Sequence, residues 1–210
     1  MSKGQGDNSA INGAENGEFM KGRESGMPEE TVWASFFDAD AAVEVLLGRD
    51  GVAGDLVELG CGYGTFTVPA ALRTQGIVTA LDIEPRMVER VRRRAMRQGV
   101  RNVVATVRDF VASGTGLDDG TQAHAMIFNL LHLEQPVKLL RETHRVLHDG
   151  GKISVIHWRS DIATPRGPTL AIRPTPGQCA GWMVEAGFHD IESVNLQSCC
   201  PFHFGLIGRR

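Results

Sequence analysis

Three glycines at alternate positions, Gly60, Gly62 and Gly64, stand where an apolar run ends and an amphipathic stretch begins. Val57-Glu58-Leu59 before them reads as a buried strand, and positions 65–73 read as a helix. The chain must therefore turn from strand to helix through residues that mostly lack side chains. Glycine permits backbone conformations closed to other residues and lets a ligand approach the main chain. The dinucleotide fingerprint G-x-G-x-x-G would require glycine at position 65. Thr65 stands there instead, which disfavours a nicotinamide enzyme.

The rest of the chain repeats the same alternation. Strands are expected at Leu56–Leu59, 77–81, Val103–Val107, 125–129 and 153–157, and helices at 65–73, 85–98 and 136–147. Pro85 and Pro136 suit first helical turns, and Gly99 and Gly150 suit helix stops. Alternating strands and helices predict a parallel sheet covered on both faces, an α/β, Rossmann-like fold. Upstream, Asp38 is placed to cap a helix over Ala39–Leu47 that Gly48 ends. Downstream, positions 158–175 carry Pro165, Pro168 and Pro174 and read as a long loop of the kind that often serves function. A helix from Thr175-Pro176 to about Ala186 and extended runs at 191–196 and 202–207 then add an antiparallel edge. Residues 1–26, rich in Gly, Asn, Ser and Glu, read as a disordered leader ahead of one domain over 27–210.

The second strand ends at Leu81-Asp82-Ile83-Glu84-Pro85, with Asp82 lying 22 residues beyond Gly60. Folds of this kind place a carboxylate there to accept hydrogen bonds from both ribose hydroxyls, so the loop and Asp82 together point to a bound nucleoside. Composition narrows the remaining classes. A formal charge of −3 argues against a nucleic-acid protein, and no apolar run is long enough to span a membrane. Four cysteines in 210 residues form neither a disulfide scaffold nor paired metal-ligand spacing. A cytoplasmic, metal-free protein is the expectation.

With these residues in place, the chain resembles the class I S-adenosylmethionine-dependent methyltransferases. Glu58-x-Gly60-x-Gly62-x-Gly64 is similar to that family's first motif, and Leu81-Asp82-Ile83-Glu84-Pro85 to its acidic second. Arg108-Asp109-Phe110 follows the third strand, and Phe128-Asn129-Leu130-Leu131-His132 follows the fourth. Arg145-Val146-Leu147-His148-Asp149-Gly150-Gly151 resembles the segment before strand five. One departure is Gln122-Ala123-His124, where the family often carries Asp. The resemblance implies a seven-stranded sheet in the order 3-2-1-4-5-7-6 with strand seven antiparallel, and S-adenosyl-L-methionine as cofactor. It further implies that Gly60, Gly62 and Gly64 pass close to the methionine and ribose moieties and that Glu58 organises the loop or meets the amino group. Asp82 would take the ribose and Ile83 would pack on the adenine. Asp109 and Phe110 would close the base pocket, and Asn129 would mark the strand-four edge through its backbone. For Asp109, a turn-initiating role is the alternative.

The implied reaction is direct displacement on the cofactor's methyl group by a small-molecule acceptor, in which positioning supplies much of the catalysis. His132 and His157 fall where the sheet opens onto the site and are the candidates to move a proton, with hydrogen-bonded core residues as the alternative. His203, Trp158, Arg159, Arg166 and Arg173 are candidate acceptor contacts. The arginines would admit an anionic acceptor, and ion pairs such as Arg159 with Asp161 are the alternative. Trp33, Phe36 and Phe37 read either as a lid or as core. The helix after Asp82 carries Arg86, Arg90, Arg93, Arg94, Arg97 and Arg101, a stripe open to a solvated face or to an RNA methyltransferase. A non-catalytic cofactor-binding protein is the third reading. Monomer and homodimer both remain open.

Overall fold

The structure, a computed structural model, describes residues 27–210. The expected leader over 1–26 lies outside the described residues. In chain order the elements are α1 (Glu30–Ala34), α2 (Ala39–Leu47), β1 (Leu56–Leu59), α3 (Thr67–Leu72), β2 (Val78–Asp82), α4 (Pro85–Arg97) and β3 (Val103–Val107). They continue with α5 (Phe110–Ser113), β4 (Gln122–Phe128), α6 (Pro136–Val146), β5 (Leu147–Trp158), α7 (Pro176–Glu185), β6 (His189–Val194) and β7 (His203–Arg209).

The seven strands form one sheet in the order β3-β2-β1-β4-β5-β7-β6. The first five pair in parallel, and β7 runs antiparallel to both β5 and β6. The central strands are buried on both faces, as helix-covered parallel strands must be. Their side chains alternate between two apolar layers. Val57, Ile127 and Val155 pack with Leu139 and Leu140 of α6 and Met183 of α7. Leu56, Met126, Phe128 and Ile156 pack on the opposite face with Val43 and Leu46 of α2 and Phe66 before α3. Period-two alternation in the strands thus decides which helix each residue meets.

Helix ends follow local chemistry. The Asp38 side chain accepts a hydrogen bond from the Ala41 amide, and Gly48 closes α2 at φ +81°. Pro85 and Pro136 occupy first turns, and Gly99 at φ +68° follows α4. Thr175 and Gln178 form a capping box on α7. Gly150 departs from expectation. Helix α6 ends at Val146, and Gly150 at φ +78° lies within β5, where the register against β4 slips between Gln122 and His124. The extra residues there form a bulge, which glycine accommodates. The aberrant triplet Gln122-Ala123-His124 lies inside β4, and His124 is buried with Nε2 2.8 Å from the Ser154 hydroxyl. Within the proline-rich loop only Leu170–Ile172 forms a turn of 3-10 helix.

All four cysteines are free and buried, so they act as small apolar side chains. Among the described residues no helix is long and apolar enough to cross a membrane, and no three His, Cys, Asp or Glu side chains group as metal ligands.

Candidate functional site

The loop after β1 lies at the carboxyl edge of the sheet, where open α/β sheets bind ligands. Gly60, Gly62 and Gly64 have φ of +78°, +50° and +73°, so each is in the region that favours glycine. What faces each bare Cα differs. A Cβ on Gly60 would come within 2.7 Å of Leu130 Cδ1, and one on Gly62 within 2.8 Å of Met27 Sδ. At Gly64 it would meet Val91 of α4 at 3.1 Å, so this glycine also serves helix packing.

Two carboxyl groups organise the loop from below. Asp82, at the end of β2, accepts the Gly62 amide on Oδ2 at 2.8 Å and the Glu84 amide on Oδ1 at 2.9 Å. Burial raises its carboxyl above the ordinary range, and the two amides pull it part of the way back. Glu58 in β1 is 2% exposed and accepts a hydrogen bond from the Thr67 hydroxyl of α3. Burial pushes Glu58 up to about 8, with the nearby Asp82 charge adding to the effect, so the acid is largely protonated at neutral pH. Thr67 is a site partner that no motif marks in the sequence.

Beyond β4, Asn129 has a left-handed backbone at φ +58°, and its amide donates to Ile156 O at 2.7 Å. Neither the oxygen nor the nitrogen of its buried side-chain amide has a partner among the described residues, and the same is true of the Thr65 hydroxyl. Buried polar groups in folded proteins are nearly always hydrogen-bonded, so unpaired ones at a strand edge mark a place for a polar ligand or water. Ile83 follows Asp82 at the same edge. Asp109 uses one carboxylate oxygen to cap α5 through the Ala112 amide at 3.0 Å, the turn role the sequence left open. Phe110 behind it is buried in the core.

Three histidines converge on the other side. His132 Nδ1 lies 3.2 Å from His157 Nε2, although the residues are 25 apart in sequence. The nearest partner of His157 Nδ1 is the carbonyl oxygen of Trp158 at 3.4 Å, a long contact to a group that can only accept. The tautomer of His157 protonated on Nδ1 would donate to that carbonyl and leave Nε2 as the acceptor. His132 then donates from Nδ1, and its Nε2 carries the lone pair. Burial lowers His132 to about 4 and His157 to about 3, so both are neutral at pH 7. His203 is 4% exposed, lowered by burial to about 3, and has no partner on either ring nitrogen among the described residues. Its ring centroid is 4.1 Å from that of Trp158 and 4.7 Å from that of Phe37. Trp33 and Phe36 close the same aromatic cluster on Trp158 at 6.4 and 5.4 Å.

The candidate arginines of the long loop have partners close at hand. Arg173 spends its donors inside its own loop, on the carbonyls of Arg159 and Pro168 and on the Thr164 hydroxyl, so it ties the loop together. Arg159 forms a forked pair with Asp161. Arg166 lies on the same exposed loop. Of the α4 stripe, Arg86 pairs with Glu84, Arg93 with Glu89, and Arg90 and Arg94 with Glu30, a solvated face laced with acids.

Residues 56–151 match the family described as a methyltransferase domain. A curated relative, aklanonic acid methyltransferase DauC from Streptomyces sp. (strain C5), is 33% identical over 104 residues. That match takes in 47% of this chain and 46% of the relative, so it spans about half the length of each. Among solved structures, an SAM-dependent methyltransferase from Aquifex aeolicus superposes with a TM-score of 0.70 at 20% identity, over 83% of this chain and 90% of that one. Geranyl diphosphate C-methyltransferase from Streptomyces coelicolor A3(2) gives 0.66 at 18%, over 86% and 79%. The [4+2]-cyclase SpnF gives 0.65 at 20%, over 82% and 79%. The last shows that this fold is compatible with more than one chemistry, so the site must decide.

Proposed function

We propose that this chain, a member of the class I S-adenosylmethionine-dependent methyltransferase superfamily, transfers a methyl group from S-adenosylmethionine to a small-molecule acceptor. The observation that carries this reading is the bond from the Gly62 amide to Asp82 Oδ2, which sets a glycine loop and a carboxylate side by side at the sheet edge. The unpaired amide of Asn129 and hydroxyl of Thr65 fit a ligand that brings its own polar groups. Asp82 keeps lone pairs for ribose hydroxyls, Ile83 offers apolar surface to the adenine with Phe110 packed in the core behind the base pocket, and the second oxygen of Asp109 serves its amine. Gly60 and Gly62 expose main chain to the remainder, and Glu58 stands behind the loop as an acid ready to ionise beside a positive charge. Relatives named for aklanonic acid and geranyl diphosphate act on small molecules, in line with this reading.

The cofactor would supply a methyl group already activated on a sulfonium. Held by Asp82 and the loop of Gly60, Gly62 and Gly64, it would give that methyl to the acceptor and leave as S-adenosylhomocysteine. What the chain must add is alignment, exclusion of water and a place for the acceptor's proton. His132 Nε2 carries the lone pair that can take it, with His157 holding the ring in that tautomer. Trp158, Phe37 and His203 form an aromatic wall for the acceptor. Arg159, Arg166 and Arg173 belong to the loop that follows Trp158, and an anionic acceptor would compete with Asp161 for the Arg159 guanidinium.

Incubation with methyl-labelled S-adenosylmethionine and a panel of small hydroxylated and carboxylic acceptors tests the reading. Label transfer with release of S-adenosylhomocysteine is expected for at least one acceptor. Cofactor binding with transfer to none, across a broad panel, would favour the non-catalytic reading instead.

A further inference from the structure

Residues 27–30 cross the glycine loop as a strap held at several points. Tyr63, between Gly62 and Gly64, donates its hydroxyl to Pro28 O at 2.8 Å. Arg90 of α4 stands 5.2 Å from the centroid of the Tyr63 ring and pairs with Glu30 at 2.5 Å, while Arg94 lies 3.7 Å from the same carboxylate. The loop's own tyrosine and the helix that follows β2 therefore grip the strap together. At its start the Met27 thioether lies against the bare Cα of Gly62, and a Cβ there would sit 2.8 Å from Sδ and 3.1 Å from Cε. At its far end α1 carries Trp33 onto Trp158. One short segment thus joins the loop to the aromatic wall.

The side chain resting on Gly62 is a two-carbon arm ending in a thioether. S-adenosylmethionine presents the same arm around its sulfur. On the cofactor reading of this loop, we propose that Met27 is a placeholder that holds the surface over Gly62 until the cofactor's methionyl arm takes it, so that the strap lifts as the cofactor enters. Surface ion pairs and a single hydrogen bond hold the strap, the kind of contact that opens at low cost. A protein whose binding surface is open only part of the time binds more weakly by that fraction. Emptying the placeholder therefore tightens binding. The gain is confined to ligands that carry the arm, because adenosine does not reach the contested surface.

Calorimetric titration of the full chain with S-adenosylhomocysteine and with adenosine separates the outcomes. Met27→Ala is expected to tighten S-adenosylhomocysteine binding about tenfold and leave adenosine unchanged. Glu30→Gln, which keeps the thioether and loosens the strap, is expected to tighten it less. S-adenosylhomocysteine binding that Met27→Ala leaves equal or weakens would overturn the placeholder and make Met27 a wall of the site. No binding of S-adenosylhomocysteine by wild type or either variant would overturn the cofactor reading itself, and the placeholder with it.

Discussion

The Gly62 amide and the Asp82 carboxylate meet at 2.8 Å, joining the backbone after β1 to the side chain that ends β2. Parallel pairing of Leu59 with Leu81 brings the two strand ends level, and the loop's left-handed turns aim its amide at the carboxylate. The bond leaves Asp82 fixed in place, with unused acceptor capacity toward the loop.

Asp82→Ala should weaken S-adenosylmethionine binding about tenfold to a hundredfold, since hydrogen bonds to a charged group contribute about 1.5–3 kcal/mol. Asp82→Asn, which keeps one acceptor oxygen, should lie between. Calorimetry measures both. Unchanged affinity in the alanine variant would remove Asp82 from the site.

Glu58 should give up its proton when the cofactor binds. Held at about 8 by burial, it is largely protonated at pH 7, and a sulfonium or ammonium nearby favours the ionised form. Binding heats at pH 7 in buffers of different ionisation enthalpy should therefore reveal release of about one proton, absent in Glu58→Gln. Equal heats in all buffers would contradict this.

Acid should destabilise the fold early. His124, His132, His157 and His203 all have folded values of about 3 to 4, lowered from 6.5 by burial. A lowered histidine binds its proton more readily in the unfolded chain, so stability is full above 6.5 and falls as pH drops toward 3. Between pH 6.5 and 5 each histidine can withdraw up to about 2 kcal/mol. Glu58 and Asp82 oppose them, because raised carboxyls favour the folded state at low pH, but the four histidines outnumber them. Urea midpoints at pH 7 and 5 measure the sum, and an equal or higher midpoint at pH 5 would refute it.

Arg145 should matter for the loop between α5 and β4. It bridges Glu142, Asp119 and Leu117 O, while Glu142 also accepts the amide and hydroxyl of Thr115 at 2.7 Å. The Arg145 guanidinium, with Thr115, lowers Glu142 to about 2, so its contribution persists above its unfolded value and fades as pH falls through 2. Arg145→Leu should cost about 1–3 kcal/mol and expose positions 114–121 to proteolysis, while Arg141→Leu, whose pair is exposed, should do neither.

Local rules made much of this legible in advance. The strand ends of β1 and β3, helix α2, the first-turn prolines and the loop glycines follow from periodicity and backbone preference, which neighbours in sequence decide. The strand order came through resemblance to the family. What escaped depends on residues that only folding brings together. His132 meets His157 across β4 and β5, Thr67 reaches Glu58 from the helix, and Met27 lies on Gly62 from 35 residues away. The partners of the long-loop arginines were hidden for the same reason. Composition shows a guanidinium, but only the fold shows that Arg173 bonds to the carbonyls of Arg159 and Pro168.

Calorimetric titration with S-adenosylmethionine and, in parallel, with NADH decides which nucleotide the glycine loop and Asp82 hold. Micromolar binding of S-adenosylmethionine and none of NADH is the predicted result. Binding of NADH alone, or of neither by folded protein, would contradict it.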